Sequence, residues 1–404
     1  MENLGAYVTA PEVMRAPSRN VTGLPANAAV QSILRTEAMQ EAAGSSDAAP
    51  SLFERALAPE LVAVWDADQK FTDEQNKVMA AFRSELIASG DMRLSHDNKP
   101  TAFRFCQARG WAVDKALTMY RAHLSFRQQY GIDAVDGKPP RIYHDIDELV
   151  QGKAAVKSAY PCIHHSVDRY GRPVWIDRPG MIDVDALCVV QPQAELIRAF
   201  VFETEVTLDF RLPAASLAAG KYIGKVMAIV DLAGFRMGNF LAVRSEQKLI
   251  AAVAQDNYPE MVQRIVVINA PLAFTVVWRF ISPLLDKRVR EKIVVCGKDY
   301  LPTLLELMRH EDIPSFLGGG DETCDLLNER GPWAGSDAIP KSVADYMNPS
   351  RLAAGSHLAG RDPRLYIRLV LYAFDSGQNT FSGRTRQGSF VDVAGPGPAV
   401  WAAS

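Results

Sequence analysis

Three apolar runs decide the fold: Val226-Met227-Ala228-Ile229-Val230, then Ile265-Val266-Val267-Ile268, then Ile293-Val294-Val295. Each is short, nearly continuous and rich in β-branched residues, the pattern of a strand buried on both faces. Between them lie helical stretches, roughly Asn239–Val253 and Leu272–Leu285. Strands separated by helices predict a parallel sheet built from right-handed crossovers.

Working outward, Asp168-Arg169-Tyr170-Gly171-Arg172-Pro173 reads as a turn and Val174-Trp175-Ile176-Asp177 as a short strand after it. A helix is predicted around Ala194–Phe210, with Pro213 just beyond its end, and Gly318-Gly319-Gly320 closes the unit. The α/β domain therefore spans residues 137–320. Upstream, Thr72-Asp73-Glu74-Gln75 has capping-box spacing, and Val78, Phe82 and Leu86 follow at helical intervals. A second helix starts near Asp114, places Leu117, Tyr120 and Leu124 on one face and stops at Gly131. Residues 51–136 are thus expected to form a small all-helical unit. Residues 1–50, rich in Ala, Pro, Ser and Asn, read as a disordered leader. Residues 321–404 read as an extension, disordered towards its end, in which Gly331-Pro332-Trp333 could pack back and Leu365–Ala373 could form a strand.

The chain has 404 residues, 48% apolar and 23% charged, with a net charge of -3. That balance excludes a protein that works by coating a polyanion. The five cysteines are odd in number and never form a C-x-x-C pair, so a disulfide framework or zinc site is not expected and a reducing compartment is. The amino terminus lacks a secretory pattern. The apolar run between Arg264 and Arg279 is broken by Asn269 and Pro271 and falls short of the ~20 residues that span a bilayer. A soluble protein with at most peripheral membrane contact is expected.

Enzyme signatures are missing. No G-x-G-x-x-G or P-loop follows the strand ending at Asp231, and there is no G-x-S-x-G elbow. His164 and His165, adjacent on a strand, point to opposite faces, so a structural role outranks metal binding. The glycines at 318–320 read as a turn rather than a phosphate cradle.

The stretch Asp256–Val295 is more informative. After Asn269-Ala270-Pro271 comes a helix carrying Phe274, Val276, Val277, Trp278, Phe280, Ile281, Leu284 and Leu285, which cover most of its circumference. An interior helix is the plain reading. A mobile wall over an apolar cavity is the functional one, supported by Lys287, Arg288, Arg290 and Lys292 directly after it. Pattern alone favours the interior helix.

Several motifs, in order over residues 72–320, resemble those of the CRAL-TRIO lipid-binding family. They are Phe103-Arg104-Phe105-Cys106-Gln107-Ala108-Arg109-Gly110-Trp111, Asp168–Val174, Ile229–Gly234, Gln255–Glu260, Ile268–Pro271, Pro283–Asp286 and Leu317-Gly318-Gly319. Arg211–Ser216 and Gly331-Pro332-Trp333 are similar to the secretory-pathway phosphatidylinositol transfer proteins within it. The resemblance implies a helical lobe on a domain with a mostly parallel sheet and an apolar pocket for one phospholipid. The helix after Pro271 would gate it. A diacyl lipid has about 30 methylenes, each worth about 0.8 kcal/mol out of water, so it does not cross cytosol without such a cavity.

By the same resemblance, Arg109, Asp168, Glu260 and Lys292 are the expected headgroup residues. Val226, Ala228, Phe274, Val277, Trp278, Ile281 and Leu285 are the expected pocket and gate residues. Family members that exchange phosphatidylcholine carry small hydroxyl residues where Val226, Ala228 and Ala254 stand here, so phosphatidylcholine is expected to be a poor ligand. The function implied is phosphatidylinositol transfer or presentation at Golgi or other endomembranes by a cytoplasmic monomer. No catalysis, cofactor, metal or nucleic-acid partner is implied. The alternatives are a carrier of a sterol, tocopherol or retinoid, and a non-catalytic regulatory module.

Overall fold

In the computed structural model of the chain, residues 59–93, 96–133, 156–190, 193–285, 287–324 and 326 are described. The leader, the possible strand at Leu365–Ala373 and the Gly331-Pro332-Trp333 turn lie outside them.

Among the described residues, four helices form the amino-terminal lobe: α1 (Pro59–Asp68), α2 (Asp73–Ser89), α3 (Lys99–Ala108) and α4 (Val113–Tyr130). The capping box forms as expected, with Gln75 N donating to Thr72 Oγ1 and Thr72 N donating to Gln75 Oε1. Gly131 ends α4 in the left-handed conformation. Phe82 and Leu86 of α2, Phe105 of α3 and Tyr120 of α4 meet in one core, in which Phe82 and Tyr120 pack edge to face. Helix α3 joins this core through Ala102, Phe105 and Cys106, whereas α1 is held through Trp65, which stacks on Phe71 and meets Phe103 and Tyr222 edge-on.

The rest is built on β1 (Cys162–Val167), β2 (Pro173–Asp177), β3 (Val226–Asp231), β4 (Val262–Ile268) and β5 (Ile293–Val295). They form one sheet in the order β1-β2-β3-β4-β5, with β1 antiparallel to β2 and every other pair parallel. The predicted mostly parallel α/β sheet is therefore correct. Helices α5 (Val184–Val190), α6 (Gln193–Val206) and α7 (Leu212–Ala219) connect β2 to β3. Then α8 (Met237–Ala242) and α9 (Arg244–Asn257) lead to β4, and α10 (Phe274–Ile281) and the short α11 (Lys287–Arg290) lead to β5. Helix α12 (Leu301–Leu307) follows.

One local expectation needs correction. The helix through Phe210 does not end before Pro213 but passes through a π-helical turn, Thr207–Arg211, into α7, whose first turn holds Pro213. Proline lacks the N–H that an α ladder needs, and the wider ladder ahead of it absorbs the missing donor. The triple glycine is a packed turn. Gly318 has φ +82°, and a Cβ at Gly319 would overlap the Ile313 carbonyl.

The two faces of the sheet differ. On the outer face, Ile163, Val174, Ile176, Met227, Ile229, Val266 and Ile268 pack against Leu304, Met308, Ile313 and Leu317. Those seven sheet residues are at most 1% exposed. On the inner face, under α7 and α10, Val226 is 8% and Ala228 9% exposed, while Val230 and Ile265 are half-buried although they sit mid-sheet. Half-burial of Val230 and Ile265 in mid-sheet shows that the inner face is covered less closely than the outer one and borders a cleft. As expected, the two histidines part: His164 lies on the inner side against the Trp175 ring, and His165 Nε2 sits 2.6 Å from Asp321 Oδ2.

Candidate functional site

Three of the parallel strands are entered through a charged residue. Lys225 precedes Val226 of β3, Glu260 lies two residues before β4, and Lys292 precedes Ile293 of β5. Because the strands are neighbours and parallel, these residues converge at the amino end of the sheet. Glu260 Oε2 accepts hydrogen bonds from Lys225 Nζ at 2.7 Å and from Lys292 Nζ at 3.3 Å. Arg288 Nη1 stands 3.9 Å from Glu260 Oε1.

The helical lobe closes over this cluster. Arg288 donates to the Gln107 carbonyl of α3, and the Arg104 guanidinium reaches Met261. Glu260 has φ +58°, a conformation that costs a non-glycine residue on the order of 1–3 kcal/mol and persists where its surroundings enforce it. Here the lysines and the lobe do so. Burial by itself would raise the Glu260 pKa, but the hydrogen bond and charge of Lys225, then of Lys292, outweigh it and hold the carboxyl below its ordinary value. Burial lowers the Lys225 pKa, and the Glu260 contact offsets that only in part. One carboxylate faces three cations, so the cluster carries spare positive charge and spare donors. Chemically it suits a group that is both anionic and rich in hydroxyls.

Of the expected headgroup residues, Glu260 and Lys292 meet directly. Arg109 is the carboxy-terminal cap of α3, with Nη1 3.5 Å from the Ala108 carbonyl. The next residue, Gly110, lies against the Arg288 guanidinium, which puts the Arg109 loop beside the cluster. Asp168 is placed differently. It is buried in the β1–β2 turn, where its oxygens take hydrogen bonds from the Tyr170 and Arg172 backbone and from Arg172 Nη1 at 2.8 Å. Lys225 and Arg288 were missed by sequence reasoning. A signal existed: Lys225, like Lys292, directly precedes an apolar strand run, and parallel strands bring such positions side by side.

At the opposite end of the sheet a second polar node anchors the helix after Pro271. Asn269 Nδ2 donates to Asp231 Oδ1 at 2.8 Å, Arg178 Nε donates to Asp231 Oδ2 at 3.0 Å, and Asn269 has φ +54°. From that node α10 runs back over the inner face. Phe274 and Val277 are buried against Val230, Ile265 and Val267, with Trp278 and Ile281 packed alongside and Leu285 half-buried. The plain reading of α10 as an interior helix is overturned. Leu272 is 96% and Phe280 57% exposed, with Val276 between them on the same stripe. The helix has one face on the cleft and one apolar face towards solvent, flanked by exposed Lys287, Arg288 and Arg290.

A sheet only partly covered on one face, a cationic cluster at one end and an amphipathic helix from the other characterise this α/β domain. The chain belongs to the CRAL/TRIO domain family, whose model matches residues 157–319. It is similar to "SEC14 cytosolic factor" of Candida glabrata, 31% identical over 283 residues, covering 68% of this chain and 90% of that protein. It is also similar to "Phosphatidylinositol/phosphatidylcholine transfer protein SFH12" of Arabidopsis thaliana, 32% identical over 273 residues, covering 66% of this chain and 49% of that one. The chain thus spans about half the length of that plant relative. A solved structure titled "Crystal structure of Sfh5" has a TM-score of 0.46 and 12% identity, covering 71% of this chain and 100% of the other. Among the described residues, no helix is long and apolar enough to cross a membrane.

Proposed function

We propose that this protein binds phosphatidylinositol and transfers or presents it at membrane surfaces. The observation that carries the reading is the asymmetry of the sheet: a dry outer face and, under α7 and α10, an accessible apolar inner face. Acyl chains occupy that cleft, along Val226, Ala228, Val277 and Trp278. The phosphate and inositol hydroxyls meet Lys225, Lys292, Glu260 and Arg109 at the amino ends of the strands. Asp168 holds the neighbouring turn rather than the headgroup. The Arabidopsis relative, named as a phosphatidylinositol/phosphatidylcholine transfer protein, supports the same ligand class. Residues 51–136 serve as the helical lobe, 137–320 as the lipid-binding domain, and the flanks as extensions.

Phosphatidylcholine binds poorly on this reading. Val226 and Ala228 offer its phosphate no side-chain donor, and a desolvated phosphate without donors is costly. The protein works from the cytosol as a monomer without catalysis and docks briefly on Golgi or other endomembranes. Docking uses the Leu272, Val276 and Phe280 stripe with the cations after it, an arrangement suited to lying in an anionic interface. The test is extraction of bound lipid after incubation with mixed liposomes, read by mass spectrometry. Phosphatidylinositol should be bound, and lost in Lys292→Ala and Glu260→Ala; a protein that extracts none refutes the proposal.

A further inference from the structure

The end of α10 carries a serine with no part in the cleft or the headgroup cluster, within Arg279-Phe280-Ile281-Ser282-Pro283-Leu284. Ser282 caps α10 and opens a single 3₁₀ turn, Ser282–Leu284, that leads towards α11. Arg279, Phe280, Pro283 and Leu284 are exposed around it, and Ser282 itself is half-buried. Its carbonyl accepts hydrogen bonds from Leu285 N and, at 3.4 Å, from Arg290 Nη1 of α11. Ser282 keeps helical dihedrals, φ −58° and ψ −35°, so Arg279, three residues earlier, is its neighbour on the helix surface. The serine therefore sits between guanidinium groups from two elements, with exposed Lys287 at the start of α11.

Its flanks bear on chemistry rather than packing. An Arg three residues before a serine fits an acidic substrate groove, and a proline directly after it, lacking an N–H, suits a pocket that offers no acceptor there. Protein kinases select substrates by such charge patterns. A phosphoserine carries about −1.5 to −2 charges at neutral pH and three strong acceptor oxygens. The carboxy end of α10 is the negative end of its dipole, so the helix itself does not hold a phosphate there. Arg279 and Arg290 are placed to do so instead. Together with Lys287 they lie beside the Leu272, Val276 and Phe280 stripe, where their charge attracts an anionic surface. One phosphate cancels about two of those charges.

We infer that Ser282 is a phosphorylation site for a protein kinase that reads Arg279 and Pro283, and that its phosphate releases the protein from anionic membranes. In the transfer, Ser282 Oγ attacks the γ-phosphorus of ATP, the bond to the ADP oxygen breaks, and the hydroxyl proton passes to the kinase's catalytic carboxylate. The turn that holds Ser282 is short, exposed and closed by the Leu285 N–H, and segments of this kind open locally at little cost to enter a kinase groove. The inference rests on the docking reading above and adds its regulation.

The experiment uses the full chain with phosphoserine installed at position 282 during translation, beside the unmodified protein and the uncharged Ser282→Gln. Co-sedimentation with vesicles of equal parts phosphatidylcholine and phosphatidylserine reads docking. The phosphorylated protein should bind about thirtyfold more weakly than the unmodified one, the worth of about two surface cations. Ser282→Gln should bind like the parent, and the loss should fade in concentrated salt, which a packing defect would not do. In parallel, an arginine- and proline-directed kinase with ATP should place phosphate on Ser282, located by mass spectrometry, and none there in Ser282→Ala. Equal docking by the phosphorylated and unmodified proteins, or no phosphate at Ser282 after the kinase reaction, overturns the inference. An unmodified protein that ignores these vesicles overturns the docking reading and this inference together, so the two failures are told apart.

Discussion

Glu260 Oε2 lies 2.7 Å from Lys225 Nζ, a contact that joins the approach to β4 to the approach to β3 at the edge of the cleft. Lys225 is the closest cation to that carboxylate, closer than Lys292 at 3.3 Å. Charge-assisted hydrogen bonds of this kind contribute about 1.5–3 kcal/mol. Lys225→Ala should therefore weaken phosphatidylinositol binding by about tenfold or more, at least as much as Lys292→Ala. Liposome-to-liposome transfer assays of both variants measure this, and an unimpaired Lys225→Ala protein would remove Lys225 from the site.

The same contact sets an acid limit. Lys225 and Lys292, against the opposing effect of burial, hold the Glu260 pKa below its ordinary value of about 4.5. A depressed carboxyl contributes stability that is present above the unfolded-state pKa and lost as pH falls through the folded one. Urea midpoints should hold steady down to about pH 5 and then drop, and Glu260→Gln should remove part of that drop.

Asp177 has the opposite sign. Its folded pKa is raised from 3.8 to about 6, so the folded state holds a proton that the unfolded chain releases. Stability then falls as pH rises from about 4 to about 6, by on the order of 3 kcal/mol at most. Asp177→Asn, which carries no charge at any pH, should be more stable than the parent at pH 7 and close to it at pH 4. Denaturant titrations at the two pH values decide this; an equal difference at both would show that the carboxyl titrates normally.

Arg127 of α4 donates to Glu205 Oε1 at 2.9 Å, and the Tyr258 hydroxyl donates to the same oxygen at 2.9 Å. Arg127 also pairs with Asp133 at 2.8 Å. This buried node bolts the helical lobe to α6 and to the segment two residues before Glu260. Arg127→Met would strand Glu205 in a dry environment and should cost about 3–5 kcal/mol, with part recovered in Arg127→Met/Glu205→Leu. Tyr258→Phe removes one hydroxyl and should cost about 1 kcal/mol. Chemical denaturation of the set measures the coupling.

Membrane contact can be separated from lipid binding on α10. Phe280 and Val276 face solvent, whereas Phe274 and Val277 face the cleft. Phe280→Asp should leave the unfolding midpoint nearly unchanged and reduce co-sedimentation with anionic vesicles, since burying one large apolar side chain is worth about 1.5–3 kcal/mol. A variant that still sediments like the parent would move the docking surface elsewhere.

Much of this was legible in residues. The runs at Val226, Ile265 and Ile293 announce parallel strands because a strand covered on both faces has no polar positions. Thr72–Gln75 and Gly131 mark helix ends through local backbone chemistry alone. Glu260 and Lys292 were visible through their motif context. Lys225 was not, because its significance depends on which strands become neighbours. The two histidines were read on a strand, but the extent of β1 and its antiparallel partner were not, since Cys162-Ile163-His164-His165 alternates weakly and gains its place by pairing with β2.

The sequence by itself determined the strand and helix types, the helical lobe and the sites of its caps, because these follow from side-chain periodicity and bonds between near neighbours. Only the tertiary structure decided what the apolar residues do. Met227 and Ala228 are consecutive in one run, yet one is sealed against α12 and its trailing turns while the other borders the cleft. Nor did the pattern around α10 show which side meets solvent, since an all-round apolar helix looks the same whether buried or amphipathic in use. Burial depends on which elements cover a surface, and that is set by long-range packing rather than by the chain's local chemistry.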